Sequence, residues 1–316
     1  MSVFVDVHGH LAAPGGEGFG PPSLFDAEGS IAAKQALGID LTIIGSPCGA
    51  GSMRPGSGAA NYAQSADQVR AYNEAIGDLV GRFPGALRAY AYLDPFGGDA
   101  MLSQAAELVK DWRFVGLIVN TSVNGEYLDS AAAGDFFAMA AETGVPVLLH
   151  PPAEPVGTSS VRHPGLVEHV ARPGDVTMGV AALICAGWLE RHPGLRLIAA
   201  AGGGGLAGLL EKLDLAVAPR PGAEPSRLAS RPSESLRRIF VETSVPSRVQ
   251  LRANLEVFGA GNILFGTDAP PLMNSVSRIL DAVRSEVTDE EELRGISRGN
   301  ASRLFALTEE LVGDGV

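Results

Sequence analysis

His8 and His10 stand two residues apart in the run FVDVHGHL. Residues i and i+2 of a strand share a face, so both imidazoles can reach one ion. His150 closes the run PVLLHPP, and Asp268 closes ILFGTD. Four nitrogen and oxygen donors from three segments suit one divalent metal, zinc first, with manganese or iron as alternatives. A catalytic ion also needs an open position for water or substrate. A short His-x-His pair on its own is weak, because strand-end histidines are often only hydrogen-bonded. The joint placement of all four donors at one end of their strands is what points to a metal. Of the six histidines, His192 reads as structural, and His163 and His169 read as loop or solvated side chains.

The elements that must position these donors alternate regularly. Apolar or β-branched runs fall at 3–7, 41–45, 87–93, 115–120, 145–149, 195–200, 239–242 and 263–265. Amphipathic stretches at 66–82, 101–111, 131–143, 177–191 and 249–258 lie between them. Strand–helix alternation implies a parallel sheet, and eight such units imply an α/β fold of the closed (β/α)8 TIM-barrel type. The strands are nearly continuous in apolar character, as burial on both faces requires. Arg82-Phe83-Pro84-Gly85, Thr143-Gly144 and Arg191-His192-Pro193-Gly194 supply helix stops before three strands. Long loops at 11–27, 49–63 and 151–175 follow strands one, two and five. Barrels keep their chemistry on that face. No linker or composition shift divides the chain, so residues 1–316 read as one domain.

Composition narrows the function classes. The net charge of −12 opposes binding to phosphate backbones, so nucleic acid is not an expected partner. Cys48 and Cys185 are far apart and form no metal or redox motif. No apolar run reaches the ~20 residues of a membrane span. The first residues carry no basic and apolar leader. The expectations are a cytoplasmic protein, a small-molecule substrate, no membrane partner and a homodimer as an allowed assembly.

The order and spacing of these motifs resemble the amidohydrolase superfamily, and within it the branch that includes aminocarboxymuconate-semialdehyde decarboxylase. VGLIVNTSVNGEYLD at 115–129 and AAETGVPVLLHPP at 140–152 carry the resemblance beside the four donors, which covers nearly the whole chain. It implies a metal held by His8, His10, His150 and Asp268. One departure stands out. The family usually places a histidine at the end of strand six, in a His-Gly-Gly context, as a general acid/base. Here the segment is LIAAAGGGGL, and Ala201 stands at that position. Alanine cannot transfer a proton. A modified mechanism, lost activity or a deliberate replacement would each account for it. Asn120, not lysine, ends strand four, so a lysine bridge between two metals is unsupported and one metal is expected. The Gly202–Gly205 run lacks the ending of a phosphate loop and fits close backbone packing.

The leading expectation is a metal-dependent hydrolase acting on a small organic substrate, with Asp268 as the base for a metal-activated water. The alternative is non-oxidative decarboxylation of a small carboxylate, a carbon–carbon lyase reaction. Arg54 is a candidate carboxylate clamp, because a guanidinium grips a carboxylate with two hydrogen bonds. Asn120 and Ala201 are the other candidate substrate-binding positions. Ala201 also leaves open a metal-containing binding protein, or an iron oxygenase built on two histidines and a carboxylate.

Overall fold

The computed structural model describes residues 3–12, 21–46, 64–219, 221 and 227–308. Arg54 and the whole 49–63 loop lie outside the described residues, as does 13–20 of the first long loop. Eight strands form one sheet in chain order. They are β1 (Phe4–Gly9), β2 (Ile39–Ile44), β3 (Leu87–Tyr92), β4 (Phe114–Asn120), β5 (Val147–His150), β6 (Leu197–Ala199), β7 (Phe240–Glu242) and β8 (Ile263–Leu264). Every neighbouring pair is parallel. Backbone bonds from Val7 N to Phe265 O at 2.9 Å and from Asp268 N to His8 O at 2.8 Å join the last strand to the first. The ring is thus nearly closed, as the eight-strand pattern predicts, and the fold is a TIM barrel.

The helices have physical starts and stops. α1 (Ala27–Gln35) is capped by Asp26, whose carboxylate accepts from Gly29 N at 2.9 Å. α2 (Ala66–Arg82) opens on a Ser65/Gln68 capping box, with both reciprocal bonds formed. α3 is Gly98–Leu108 and α4 is Gly134–Thr143. The helix expected at 177–191 is two pieces, α5 (Arg172–Cys185) and Trp188–Arg191, interrupted at Gly187 with φ 78°. The segment 151–175 is less open than its composition suggests, since helical turns occupy 164–171 before α5 begins. α6 (Arg248–Phe258) is capped by Ser247, and α7 (Met273–Glu286) follows β8. No helix among the described residues is long and apolar enough to cross a membrane.

The buried core fills the barrel and the space beneath its helices, with Val5, Val7, Ile43, Leu117, Val119, Leu148 and Ile198 inaccessible or nearly so. Polar residues break this apolar interior near one end. Asp6, His8, Asn120, His150, Glu242 and Thr267 are all buried there. A buried polar group costs free energy unless it is partnered, so this end holds the chemistry.

Candidate metal centre

β1 supplies His8 as its penultimate residue, and His10 follows the strand. The even positions 6, 8 and 10 share a face, which puts Asp6 behind the two histidines. Gly9 between them is fixed by space. A Cβ there would lie 2.6 Å from Thr42 Cγ2 and 3.0 Å from Ala269 O. β5 ends on His150, whose register partner is Asn120 at the end of β4. Asp268 lies beyond β8 with φ 56°, a left-handed conformation uncommon outside glycine.

The structure brings these four side chains together. His10 Nε2 lies 3.1 Å from His8 Nε2, 3.2 Å from His150 Nε2 and 2.8 Å from Asp268 Oδ1. His8 Nε2 is 3.5 Å from the same carboxylate oxygen. One donor atom from each residue falls within 4.8 Å of all the others. His8 and His150 are buried, while His10 is 14% and Asp268 26% exposed, so the latter two form the open side.

The far side of two of the three rings fixes the tautomer of the neutral imidazole. His10 Nδ1 faces Gly45 O at 2.6 Å, and His150 Nδ1 faces Pro151 O at 2.9 Å. A carbonyl accepts only from N–H, so both Nε2 atoms keep their lone pairs. His8 Nδ1 lies 3.3 Å from Glu242 Oε1 without a formed hydrogen bond. Lone pairs and a carboxylate aimed at one point repel each other, and a divalent cation resolves that repulsion. The residues therefore fit a single ion, with two histidines from β1, one from β5 and the β8 aspartate.

The electrostatics agree. Burial and the neighbouring His10 and His8 hold His150 well below the usual histidine range, leaving it a neutral donor. Burial opposes a charge on His8, yet Asp268 and Glu242 outweigh it and raise its pKa. Burial would raise the Asp268 carboxyl, but His8, His10 and His150 outweigh that and hold it below the ordinary carboxylate range.

Three buried supporting carboxylates were not singled out by sequence reasoning. Glu242, at the end of β7, accepts from Ser244 N and from Ser244 Oγ. Asp6 accepts from His8 N, Thr267 N, Thr267 Oγ1 and Lys34 Nζ. Asp175 on α5 accepts from Thr121 Oγ1, Ser122 Oγ and Val156 N. Thr121 N in turn donates to His150 O at 2.9 Å, so Asp175 braces the end of β5. The available signals were an acid ending the seventh strand and an acid two residues before His8.

The remaining candidates divide. Asn120 is buried at the end of β4, beside His150 in register. Ala201 follows β6 in a turn where four successive residues, Ala201 to Gly204, have φ between 50° and 74°. Gly203 and Gly204 pack too closely for a side chain, since added Cβ atoms would meet Val241 Cγ1 at 2.9 Å and Pro173 O at 2.2 Å. The glycine run is backbone packing, as read from the sequence. His192 stacks on Trp188 at 5.5 Å, and His163 and His169 are exposed outside the metal cluster.

Comparison with known proteins places the chain. The amidohydrolase family profile matches residues 5–307, and the chain belongs to that family. It is an enzyme of the hydrolase or decarboxylase kind found there. Gamma-resorcylate decarboxylase of Rhodococcus jostii (strain RHA1) is 27% identical over 259 residues, covering 76% of this chain and 77% of that protein. 2-Amino-3-carboxymuconate-6-semialdehyde decarboxylase of Dictyostelium discoideum is 23% identical, covering 72% of this chain and 65% of that protein. In structure, the dihydroxybenzoic acid decarboxylase of Polaromonas sp. JS666, crystallised with manganese and 2-nitroresorcinol, superposes with a TM-score of 0.79 at 21% identity, covering 99% and 100% of the two chains.

Proposed function

We propose that the chain is a metal-dependent, non-oxidative decarboxylase of a small aromatic carboxylate. The observation that carries this reading is the four-donor site of His8, His10, His150 and Asp268, set in a chain whose matched relatives are decarboxylases. Hydrolysis, the leading expectation from the motifs alone, uses the same donors, and the relatives' reactions favour carbon–carbon cleavage over it. Manganese is the proposed ion, since the Polaromonas protein of the same fold holds it and imidazole and carboxylate donors accept it.

The reaction balances simply. The bond between the ring carbon and its carboxylate breaks, its electron pair stays on the ring carbon, carbon dioxide leaves and one proton takes its place. A bound divalent ion would supply a Lewis acid for the substrate's carboxylate and phenol oxygens. The chain supplies the rest. His10 and His150 would present their Nε2 atoms, oriented by Gly45 O and Pro151 O, and His8 would do so with Glu242 3.3 Å behind its Nδ1. Asp268 is the most exposed of the four and so the one a substrate meets. We assign it the proton that replaces the carboxylate. Asn120 would contact the substrate beside His150. Arg54 keeps its proposed role as carboxylate clamp on sequence grounds. Ala201 would leave room for a ring substituent where the family's histidine usually stands.

The test is turnover of a panel by manganese-loaded protein. The panel holds hydroxybenzoates with an ortho carboxylate, alongside amides and esters of the same acids. Loss of carboxylate from a hydroxybenzoate supports the proposal. Cleavage confined to the amides or esters would return the hydrolase reading.

A further inference from the structure

Behind the metal ligands lies an ion pair that the proposed chemistry does not use. Lys34 of α1 is one of only three lysines in the chain, and it is 3% exposed. Its Nζ donates to Asp6 Oδ2 at 2.6 Å, to Ala269 O at 2.6 Å and to Thr42 Oγ1 at 3.3 Å. Asp6 is fully buried. Its other oxygen accepts from His8 N at 3.0 Å and from Thr267 N at 3.0 Å. Removing two charges from water is costly, and a hydrophobic pair often serves a core as well or better. A buried pair kept beside a site therefore asks for a local reason.

The reason lies in what the pair holds. Asp268 needs a left-handed backbone, which a side chain with a Cβ does not favour. Each residue of the 267–269 segment is tied to β1 or α1. Thr267 donates both N and Oγ1 to Asp6. Asp268 N donates to His8 O. Ala269 O accepts from Lys34, and Ala269 N donates to Thr267 Oγ1. Gly9 closes the same node, because a Cβ there would come within 3.2 Å of Lys34 Nζ. The node reaches the segments that carry His8, His10 and Asp268, and has no bond to His150.

We infer that Lys34, acting through Asp6 and Ala269 O, is a positioning residue that sets the Asp268 carboxylate against the β1 histidines. The inference rests on the reading of those residues as metal ligands, and not on the identity of the substrate. Lys34 is not one of the four donors and acts on them only through Asp6 and Ala269 O, so its removal should alter affinity for the ion and the ion's coordination symmetry.

The experiment titrates metal-free protein with Mn2+ by calorimetry and records the Mn(II) electron paramagnetic resonance spectrum. Lys34→Met keeps most of the side chain's length, short of one heavy atom, and removes the charge. Supporting partners of metal ligands typically contribute about 10–100-fold in affinity. Lys34→Met should weaken Mn2+ binding by at least about tenfold and change the spectrum. Thr267→Val, nearly isosteric, should act in the same direction by a smaller factor, and it decides the matter if Lys34→Met does not fold. Asn73→Ala is the control. Its side chain bridges Tyr92 N and O far along the chain from this node, and it should lower the melting temperature with Mn2+ affinity unchanged. Mn2+ affinity within twofold of wild type in the folded node variants overturns the inference, as does an equal loss in Asn73→Ala or failure of the wild type to bind Mn2+. If the wild type binds Mn2+ and decarboxylates nothing, the functional proposal falls while the affinities still judge Lys34. If it decarboxylates and the variants bind normally, only the assignment of Lys34 falls.

Discussion

Asp268 hangs from His8: its backbone N donates to the His8 carbonyl at 2.8 Å, while its carboxylate turns back to within 3.5 Å of the His8 ring. One of the two backbone bonds that close the barrel between its last and first strands is therefore also the bond that registers two of the four donors. Closure and site geometry are coupled, so a change that loosens β8 from β1 should be felt at the metal.

Removing two donors should abolish the site. His8→Ala combined with His10→Ala leaves His150 and Asp268, too few to hold an ion against solvent. Elemental analysis of the dialysed protein should find no stoichiometric manganese. Stabilisation by added Mn2+, seen in wild type because only the folded state binds, should disappear. Full occupancy in the double variant would contradict the assignment.

Glu242→Gln keeps the volume behind His8 and removes the charge at 3.3 Å from Nδ1. Affinity for Mn2+ should fall by about 10–100-fold, the usual effect of losing a partner behind a ligand. Calorimetric titration reads it directly. An unchanged dissociation constant would mean that His8 needs no carboxylate behind it.

Much of this arrangement was legible in the sequence. All eight strands were placed, because alternating apolar runs and Gly/Pro stops are local signals. The four donors were placed because three histidines and Asp268 each stand at or just past the end of an apolar strand run. Lys34 was not, since a lysine in a short helix of mixed apolar and polar residues gives no sign of burial until Asp6 lies opposite it. Asp175 was missed for the same reason, since its partners Thr121, Ser122 and Val156 lie far away in sequence. Glu242 was missed because its place behind His8 comes only from the barrel, its hydrogen bonds to Ser244 being local. The break at Gly187 was missed because the apolar periodicity continues across it.

The Ala201 turn makes a stability prediction independent of activity. A left-handed alanine costs about 1–2 kcal/mol relative to a residue at ease there. Ala201→Gly should raise stability to urea by up to about 1 kcal/mol, the gain being offset in part by the entropy of glycine in the unfolded chain. Ala201→His asks the functional question. A restored general acid/base would raise kcat by about 10²–10⁴-fold with metal content unchanged. A fall in kcat/KM would show that the space is used by the substrate.

A surface pair away from the metal sets a pH dependence. The Asp111 carboxyl is held below its ordinary range by hydrogen bonds from Arg113, against a smaller opposing effect of burial. A depressed pKa stabilises the fold above the unfolded carboxyl value and loses that stability as pH falls through the folded one. Asp111→Asn should thus cost about 0.5–1 kcal/mol near pH 7, as partly exposed pairs do. The cost should vanish in acid, below the pKa of the folded carboxyl. Urea unfolding at both pH values checks the sign, and a cost that grows in acid would contradict it.

In the proposed reaction this site replaces a carboxylate by a proton at a ring carbon. Its most direct test is the reaction of manganese-loaded protein with 2,6-dihydroxybenzoate or a related ortho-hydroxybenzoate in D2O, followed by mass spectrometry of both products. The account predicts one carbon dioxide released per substrate consumed, and one deuterium at the carbon that lost it. Neither should form with the His8→Ala/His10→Ala protein. An intact carboxylate throughout the hydroxybenzoate panel, with ester or amide hydrolysis as the only metal-dependent turnover, would contradict the claim.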